Sequence, residues 1–392
     1  MQKIYFDHAA TTPVDPEVLQ VMLPYYTESF GNPSSIHWFG RENRKAVEDA
    51  RLMVAKELGA NEPSEIVFTG CGSESDNMAL KGIVSAHKDK GNHIITSTIE
   101  HHAVLDACKY LEKQGFEVTY IPVNTEGMVD PQEVFQALTD RTILVSIMHA
   151  NNEVGVIQPI ADIGKVLRER KILFHTDAVQ SVGSIPVNVN DLSVDLLSLS
   201  AHKFYGPKGV GALYIRKGTL IHSFLHGGGQ ERNRRAGTEN IAGIVGLARA
   251  LQLANEHIAE NQAKISYLRD YFIDNVLKHI EHVHLNGHRT QRLPGNINFS
   301  FEYIEGESLL LNLDLKGVAA SSGSACTSGS LEPSHVLLAM GISPEIAHGS
   351  LRLTLGKSNS KEEIDYLLVV LPEIVNKLRA MSPLYDSSRA SV

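Results

Sequence analysis

Ser200-Ala201-His202-Lys203 closes an apolar run, Leu196-Leu197-Ser198-Leu199, and the turn Phe204-Tyr205-Gly206-Pro207-Lys208-Gly209 follows at once. Lys203 is thereby placed at a strand end, where ligands collect in an open sheet, and a primary amine there can condense with a carbonyl. On position alone a solvated lysine in a turn is the commoner arrangement, because short motifs often match by chance. Residues upstream shift that balance. His175-Thr176-Asp177-Ala178-Val179-Gln180 puts a carboxylate at the end of the preceding apolar strand, on the same sheet edge. Pyridoxal phosphate needs both groups: a lysine to hold its aldehyde, and an acid to keep its pyridine nitrogen protonated so that the ring accepts electrons from an adjacent carbanion. Helix N-capping is the competing reading of Asp177, and it leaves Lys203 unexplained.

Gly70-Cys71-Gly72-Ser73-Glu74-Ser75-Asp76-Asn77 lies between the strand-like Ile66-Val67-Phe68-Thr69 and a helical pattern predicted to begin near Ser75. Backbone N–H groups around Gly72 and the Ser73 hydroxyl, at a helix N-terminus, suit a phosphate, although glycine and serine there also serve ordinary turn and capping chemistry. Glu100-His101-His102-Ala103 offers an imidazole at another strand end, fit for stacking on a ring or moving protons near neutral pH. Adjacent histidines point in different directions, so no metal pair is expected. Cys326 sits among serine, glycine, alanine and threonine from Ser321 to Ser330 and lacks the apolar setting of a core cysteine. It is expected on a flexible, accessible loop. Cys71, by contrast, reads as a buried and inert thiol.

These side chains need a scaffold that brings several strand ends to one edge. Up to about Gly218, apolar runs such as His93-Ile94-Ile95-Thr96 and Thr142 to Met148 alternate with helical patterns, for example Ala46, Val47, Ala50, Met53, Val54 and Leu58 before the stop at Gly59. Further strands are predicted at Ile172 to His175, Leu196 to Leu199 and Ala212 to Ile215. Buried strands separated by helices imply an α/β fold with a mostly parallel sheet flanked by helices. After Gly227-Gly228-Gly229, one long helix is expected from about Glu239 to His279, and the domain boundary falls within it. The expected domains are 16–258, large and α/β, and 259–392, small and α+β, carrying the Cys326 segment, with residues 1–15 packing on the small domain. Its elements are a strand at Asn296 to Phe301, a helix at Glu307 to Leu315 and a strand at Leu351 to Leu355.

A net charge of −9 argues against a surface built to neutralise phosphate backbones or anionic lipid. Neither a signal-peptide core nor a membrane-spanning apolar stretch is present. Three cysteines without ligand spacing read as reduced thiols, so a cytoplasmic setting is expected, with no direct nucleic-acid partner and no membrane.

Taken in order, from Tyr5-Phe6-Asp7-His8-Ala9-Ala10-Thr11-Thr12 to Leu355-Gly356, the segments resemble the cysteine desulfurases of the NifS/IscS type, within the class-V aminotransferase-like, fold type I group of pyridoxal-phosphate enzymes. Ser200-Ala201-His202-Lys203 and Ser321-Ser322-Gly323-Ser324-Ala325-Cys326 are the most specific matches. The resemblance implies that Lys203 is the Schiff-base lysine, His101 stacks on the ring, Asp177 partners the pyridinium and Gln180 donates to the phenolic oxygen. It also implies that Gly72, Ser73, Ser200 and His202 hold the phosphate, that Thr238 reaches the phosphate of a neighbouring subunit in a homodimer, and that Asn152 and Arg352 grip the substrate carboxylate, which an arginine fork suits. Ser73 stands where relatives commonly have threonine, with the hydroxyl kept.

The implied reaction converts L-cysteine to L-alanine, with the sulfur held as a persulfide on Cys326 and His101 as the nearest acid or base. The sulfur would then pass to acceptor proteins: iron–sulfur scaffold proteins or tRNA-thiolating enzymes. A selenocysteine lyase or an aminotransferase is the rival on the same fold. A non-catalytic sulfur-carrier scaffold is the rival of another class, and the joint presence of Lys203, Asp177, Gln180 and His101 speaks against it.

Overall fold

A computed structural model describes residues 3–322 and 333–385. The chain opens with a short strand, β1 (Ile4–Tyr5), then lays down β2 (Ile66–Thr69), β3 (His93–Ser97), β4 (Glu117–Ile121), β5 (Thr142–Ser146), β6 (Leu173–Asp177), β7 (Leu196–Ser200) and β8 (Gly211–Ile215). These last seven form one sheet in the order β2-β8-β7-β6-β5-β3-β4. The neighbours from β4 through β7 pair in parallel, whereas β8 runs antiparallel to both β7 and β2. The sheet is mostly parallel, and its parallel members turn their C-terminal ends to one edge.

Both faces are covered, which is why the inner strands read as continuous apolar runs. β7 sends Leu197 and Leu199 to one face, against Val54 of the helix Trp38–Glu57, Leu167 of Ile160–Glu169 and Leu247 of Ile241–Glu256. It sends Leu196 to the other, against Met78 and Ile83 of Gly72–His87 and Val104 of His102–Glu112. Each such side chain taken fully out of water stabilises the fold by about 1.5–3 kcal/mol. β4, at the sheet edge, carries the mixed sequence Glu117-Val118-Thr119-Tyr120-Ile121 with an exposed first residue, so it presents no apolar run by which to find it in the sequence.

The C-terminal block adds β9 (Val283–Leu285), β10 (Asn296–Phe301), β11 (Val318–Ala319) and β12 (Ser350–Thr354). β12, β10 and β9 make an antiparallel sheet. Its core joins Phe299 and Leu353 to Phe272, Leu309 and Leu367. Ile4 and Phe6 enter this same core, and β1 pairs in parallel with β11.

The single long helix expected from Glu239 to His279 is two helices, Ile241–Glu256 and Ile258–His279. His257 between them (φ −109°, ψ 10°) departs from helical geometry. The reason is where each half packs: Leu247 and Leu251 belong to the large core, Phe272 and Val276 to the C-terminal one. Apolar spacing is preserved on each side of His257, so the pattern reads as unbroken although the chain changes direction.

Candidate active site

The C-terminal ends of β3, β5, β6 and β7 and the N-terminus of the helix Gly72–His87 enclose a cavity lined by Cys71, Gly72, Ser73, Asp76, His101, Met148, Asn152, Asp177, Val179, Gln180, Ser200, His202 and Lys203. Lys203 ends a short 3-10 turn, Ala201–Lys203, that follows β7 directly. Its Nζ donates to the carbonyls of Ala9 and Ala10, at 2.5 and 3.0 Å. The N-terminal segment is therefore part of this wall, fastened by the Thr12 hydroxyl, which donates to His202 O and accepts from the Tyr205 N–H. Gln180 Nε2 donates to Ala9 O at 3.1 Å.

Asp177, the last residue of β6, is buried, and its Oδ1 accepts the Val179 N–H at 2.9 Å. Burial raises its pKa, while His101, the Val179 N–H and Lys203 oppose that rise. His101 caps the helix His102–Glu112: its Nδ1 accepts the Ala103 N–H at 3.1 Å. Burial lowers its basicity against the pull of Asp177, and the charges of Lys203 and His102 lower it further. A neutral imidazole whose Nδ1 is an acceptor carries its proton on Nε2. His202 is pushed down to about 4 by burial, then by Lys203 and Lys208, and its Nδ1 pairs with the Thr11 hydroxyl.

The other end of the cavity is built for an anion. Cys71 starts the helix with extended backbone and no side-chain cap, leaving first-turn N–H groups open. A Cβ on Gly72 would meet Val179 Cγ2 at 2.7 Å, so only glycine lets the backbone approach this closely. The buried Ser200 hydroxyl has no partner among the described residues, as a group awaiting a ligand oxygen would. Cys71 itself is exposed, which corrects the expectation of a buried thiol. Flanked by two glycines in a tight strand-to-helix turn, it lines the open cavity rather than the apolar layers.

Arg352, on β12, is not in the cavity wall but bonds to it. Its Nη1 donates to the Asn152 carbonyl at 3.1 Å and its Nη2 to Asp7 Oδ1 at 3.0 Å, while its buried Nε has no partner among the described residues. Thr238 is exposed and stands apart from the cavity of its own chain. Its segment is anchored by Glu231, whose carboxylate takes two 2.7 Å bonds from Arg51 and the Phe68 N–H. Glu231, Arg232 and Asn233 all hold left-handed backbone, φ 46°, 58° and 65°. Cys326 lies outside the described residues; the chain enters that stretch from Ser321, which pairs with Arg352 through both backbone groups.

Asp76, Met148 and Val179 also line the cavity and are not marked out by the sequence. Asp76 shows only as a polar residue in a helical pattern.

The family model for class-V aminotransferases matches residues 4–367. Cysteine desulfurase IscS of Dictyoglomus turgidum is 59% identical over 382 residues, covering 97% of each chain. The protein of the same name from Methanosarcina thermophila is 60% identical and spans 97% of this chain and 94% of its own. The chain belongs to the cysteine desulfurases of the class-V aminotransferase family. Among solved structures, a NifS-like protein superposes with a TM-score of 0.90 at 43% identity, over 96% of this chain and all of its own. A structure described as SspA in complex with cysteine gives a TM-score of 0.81 at 40% identity over 92% of this chain.

Cysteine desulfurases of this class depend on pyridoxal phosphate, and the cavity fits it. A lysine stands at a strand end, a buried carboxyl lies across from it, and the unpartnered Ser200 hydroxyl with the Gly72 cradle waits at the anionic end. Among the described residues no helix is long and apolar enough to cross a membrane, and no group of three or more His, Cys, Asp or Glu side chains could hold a metal.

Proposed function

We propose that this cysteine desulfurase takes the sulfur from L-cysteine, leaves L-alanine, and holds the sulfur as a persulfide on Cys326. The observation that supports it best is the convergence of Lys203, Asp177 and His101 on one cavity whose far end is an anion cradle.

In this reading Lys203 holds the cofactor, His101 stacks on its ring, Asp177 faces the ring nitrogen and Gln180 the phenolic oxygen. Gly72, Ser73, Ser200 and His202 hold the phosphate. Bound pyridoxal phosphate supplies an electron sink for the pair left when the substrate's α-proton departs. The Lys203 amine takes that proton. Arg352 and Asn152, already joined to each other, orient the substrate carboxylate. The Cys326 thiolate attacks the substrate sulfur: the S–S bond forms, the Cβ–S bond breaks, and its electron pair stays with the carbon skeleton, which gains a proton there and regains one at Cα from the Lys203 amine to become alanine. His101, neutral and protonated at Nε2, is the proton donor nearest to this step.

The persulfide passes to iron–sulfur scaffold proteins or tRNA-thiolating enzymes in the cytoplasm. The working form is a homodimer in which Thr238 reaches the partner's phosphate; its exposure outside its own cavity supports this. The test is peptide mass spectrometry after incubation with L-cysteine. A one-sulfur gain on the Cys326 peptide is expected. Full sulfide release by Cys326→Ala without added thiol would overturn the persulfide route. Lys203→Ala is expected to lose the yellow absorbance of the lysine-linked cofactor, and a monomer of full activity in sedimentation would contradict the dimer.

A further inference from the structure

Asp76 lies in the cavity wall on the helix Gly72–His87, is 1% exposed, and its Oδ1 has no hydrogen-bond partner among the described residues. It sits in a buried layer of polar groups under Asp177. His175 Nε2 is 3.7 Å from Asp76 Oδ1, but His175 is already engaged, by the Ser146 hydroxyl at 2.8 Å and the Ser198 hydroxyl at 2.9 Å. Glu100 completes the layer, its Oε1 accepting from the Ser97 hydroxyl at 2.6 Å and the Met148 N–H at 2.9 Å, its Oε2 buried and without a partner among the described residues.

Charge balance decides the protonation here. Asp177 and His175 face Asp76 from β6, Ser198 from β7 and Glu100 from the segment after β3, while His101 and Lys203 bear on Asp177. Three carboxyls thus share one buried region with the Lys203 ammonium and two histidines whose basicity burial lowers: His101, and His175, which is pushed down to about 3. Like charges that close cannot all be carried in a medium of low polarity. Protons must therefore reside on some of the carboxyls. Asp177 has the Val179 N–H, His101 and Lys203 to favour its charge, whereas Asp76 has only the Ser198 hydroxyl and is opposed by burial, by Asp177 and by Glu100.

We propose that Asp76 is a positioning residue for the reaction: a neutral acid beside Asp177, whose proton keeps the buried pair at one negative charge and leaves that charge on Asp177. The consequence for catalysis rests on Asp177 being the partner of the ring nitrogen. With the proton on Asp76, Asp177 can serve as a permanent carboxylate; without it, the charge would be shared and the ring's partner undefined. Glu100, pushed up to about 8 chiefly by burial, adds no second charge at neutral pH.

The experiment is infrared difference spectroscopy on the cofactor-loaded protein near neutral pH, comparing wild type with Asp76→Asn. A protonated-carboxyl C=O band present in wild type and missing from the variant is expected. In Asp177→Asn, which removes the negative neighbour, the same band should titrate away at a pH lower by about one unit or more. A wild-type spectrum with no band that Asp76→Asn removes, or a band whose titration ignores Asp177→Asn, overturns the proposal; so does a cofactor absorbance whose pH dependence is the same in wild type and Asp76→Asn, as a merely structural Asp76 would leave it. If Asp76→Asn fails to fold, carboxyl-labelled aspartate in wild type and in Asp177→Asn reads the same band by its isotope shift. A protein that cannot take up pyridoxal phosphate would sink the functional reading of Asp177, while the band would still report the proton on Asp76.

Discussion

The Arg352 guanidinium donates to the backbone carbonyl of Asn152 at 3.1 Å, so the two residues expected to hold the substrate carboxylate are one unit across the large and small sheets. Asp7 takes another of its N–H groups, and the buried Nε has no partner among the described residues. Arg352→Lys is expected to raise KM for L-cysteine about tenfold or more, because an ammonium cannot reproduce the fixed fork that serves Asn152, Asp7 and a carboxylate together. Steady-state kinetics check this, with circular dichroism to confirm the fold. An unchanged KM would remove Arg352 from the substrate site.

Gly72→Ala should weaken pyridoxal-phosphate binding at least tenfold. The added methyl meets Val179 Cγ2 at 2.7 Å and fills the space where the backbone approaches the anion. Gly72 is in the first helical turn, where alanine is welcome, so the variant should fold. Fluorescence titration of the cofactor-free protein measures the affinity.

Glu100→Gln should stabilise the fold at pH 7–8 by roughly 1–3 kcal/mol. The folded protein holds the Glu100 proton up to about pH 8, while an unfolded chain releases it near 4.5. Between those values the unfolded state binds fewer protons, so stability falls as pH rises. The stabilisation is fully present below about 4.5 and lost as pH climbs through about 8. Glutamine keeps an acceptor for Ser97 and Met148 and removes the ionisation. Urea unfolding across this window should show the variant's advantage growing with pH; a constant difference would refute the account.

Arg51→Met should destabilise the protein by about 3–5 kcal/mol, since it leaves the buried Glu231 carboxylate without its bidentate partner. Glu231 heads three consecutive left-handed residues, a conformation held only by what surrounds it, so the segment leading to Thr238 should loosen as well. Chemical denaturation gives the first number. Hydrogen exchange over residues 227–238 reads the second.

The sequence alone determined the chemistry and the class of fold. Lys203, Asp177 and the Gly70–Ser75 turn stand at the ends of apolar runs, and in an α/β protein with two covered faces such ends meet at one edge; the run of residue types is enough to say so. Periodicity found the buried strands, β2, β3 and β5 to β8, because burial leaves a continuous apolar record. It did not find the edge strand β4, whose exposure breaks that record, nor the turn at His257, where apolar spacing continues while the chain changes core.

Tertiary structure alone decided the pairings that cross long stretches of chain. That Lys203 rests on the carbonyls of Ala9 and Ala10, that Arg352 holds Asn152, and that Cys71 is exposed at the cavity depend on which layers pack together. Asp76 is the clearest case. A carboxylate in a helical pattern reads as solvated in sequence, and only the closing of β6, β7 and the residues after β3 around it removes water and leaves it beside Asp177. Burial is a property of the assembled layers, and the protonation of a carboxyl follows burial rather than sequence.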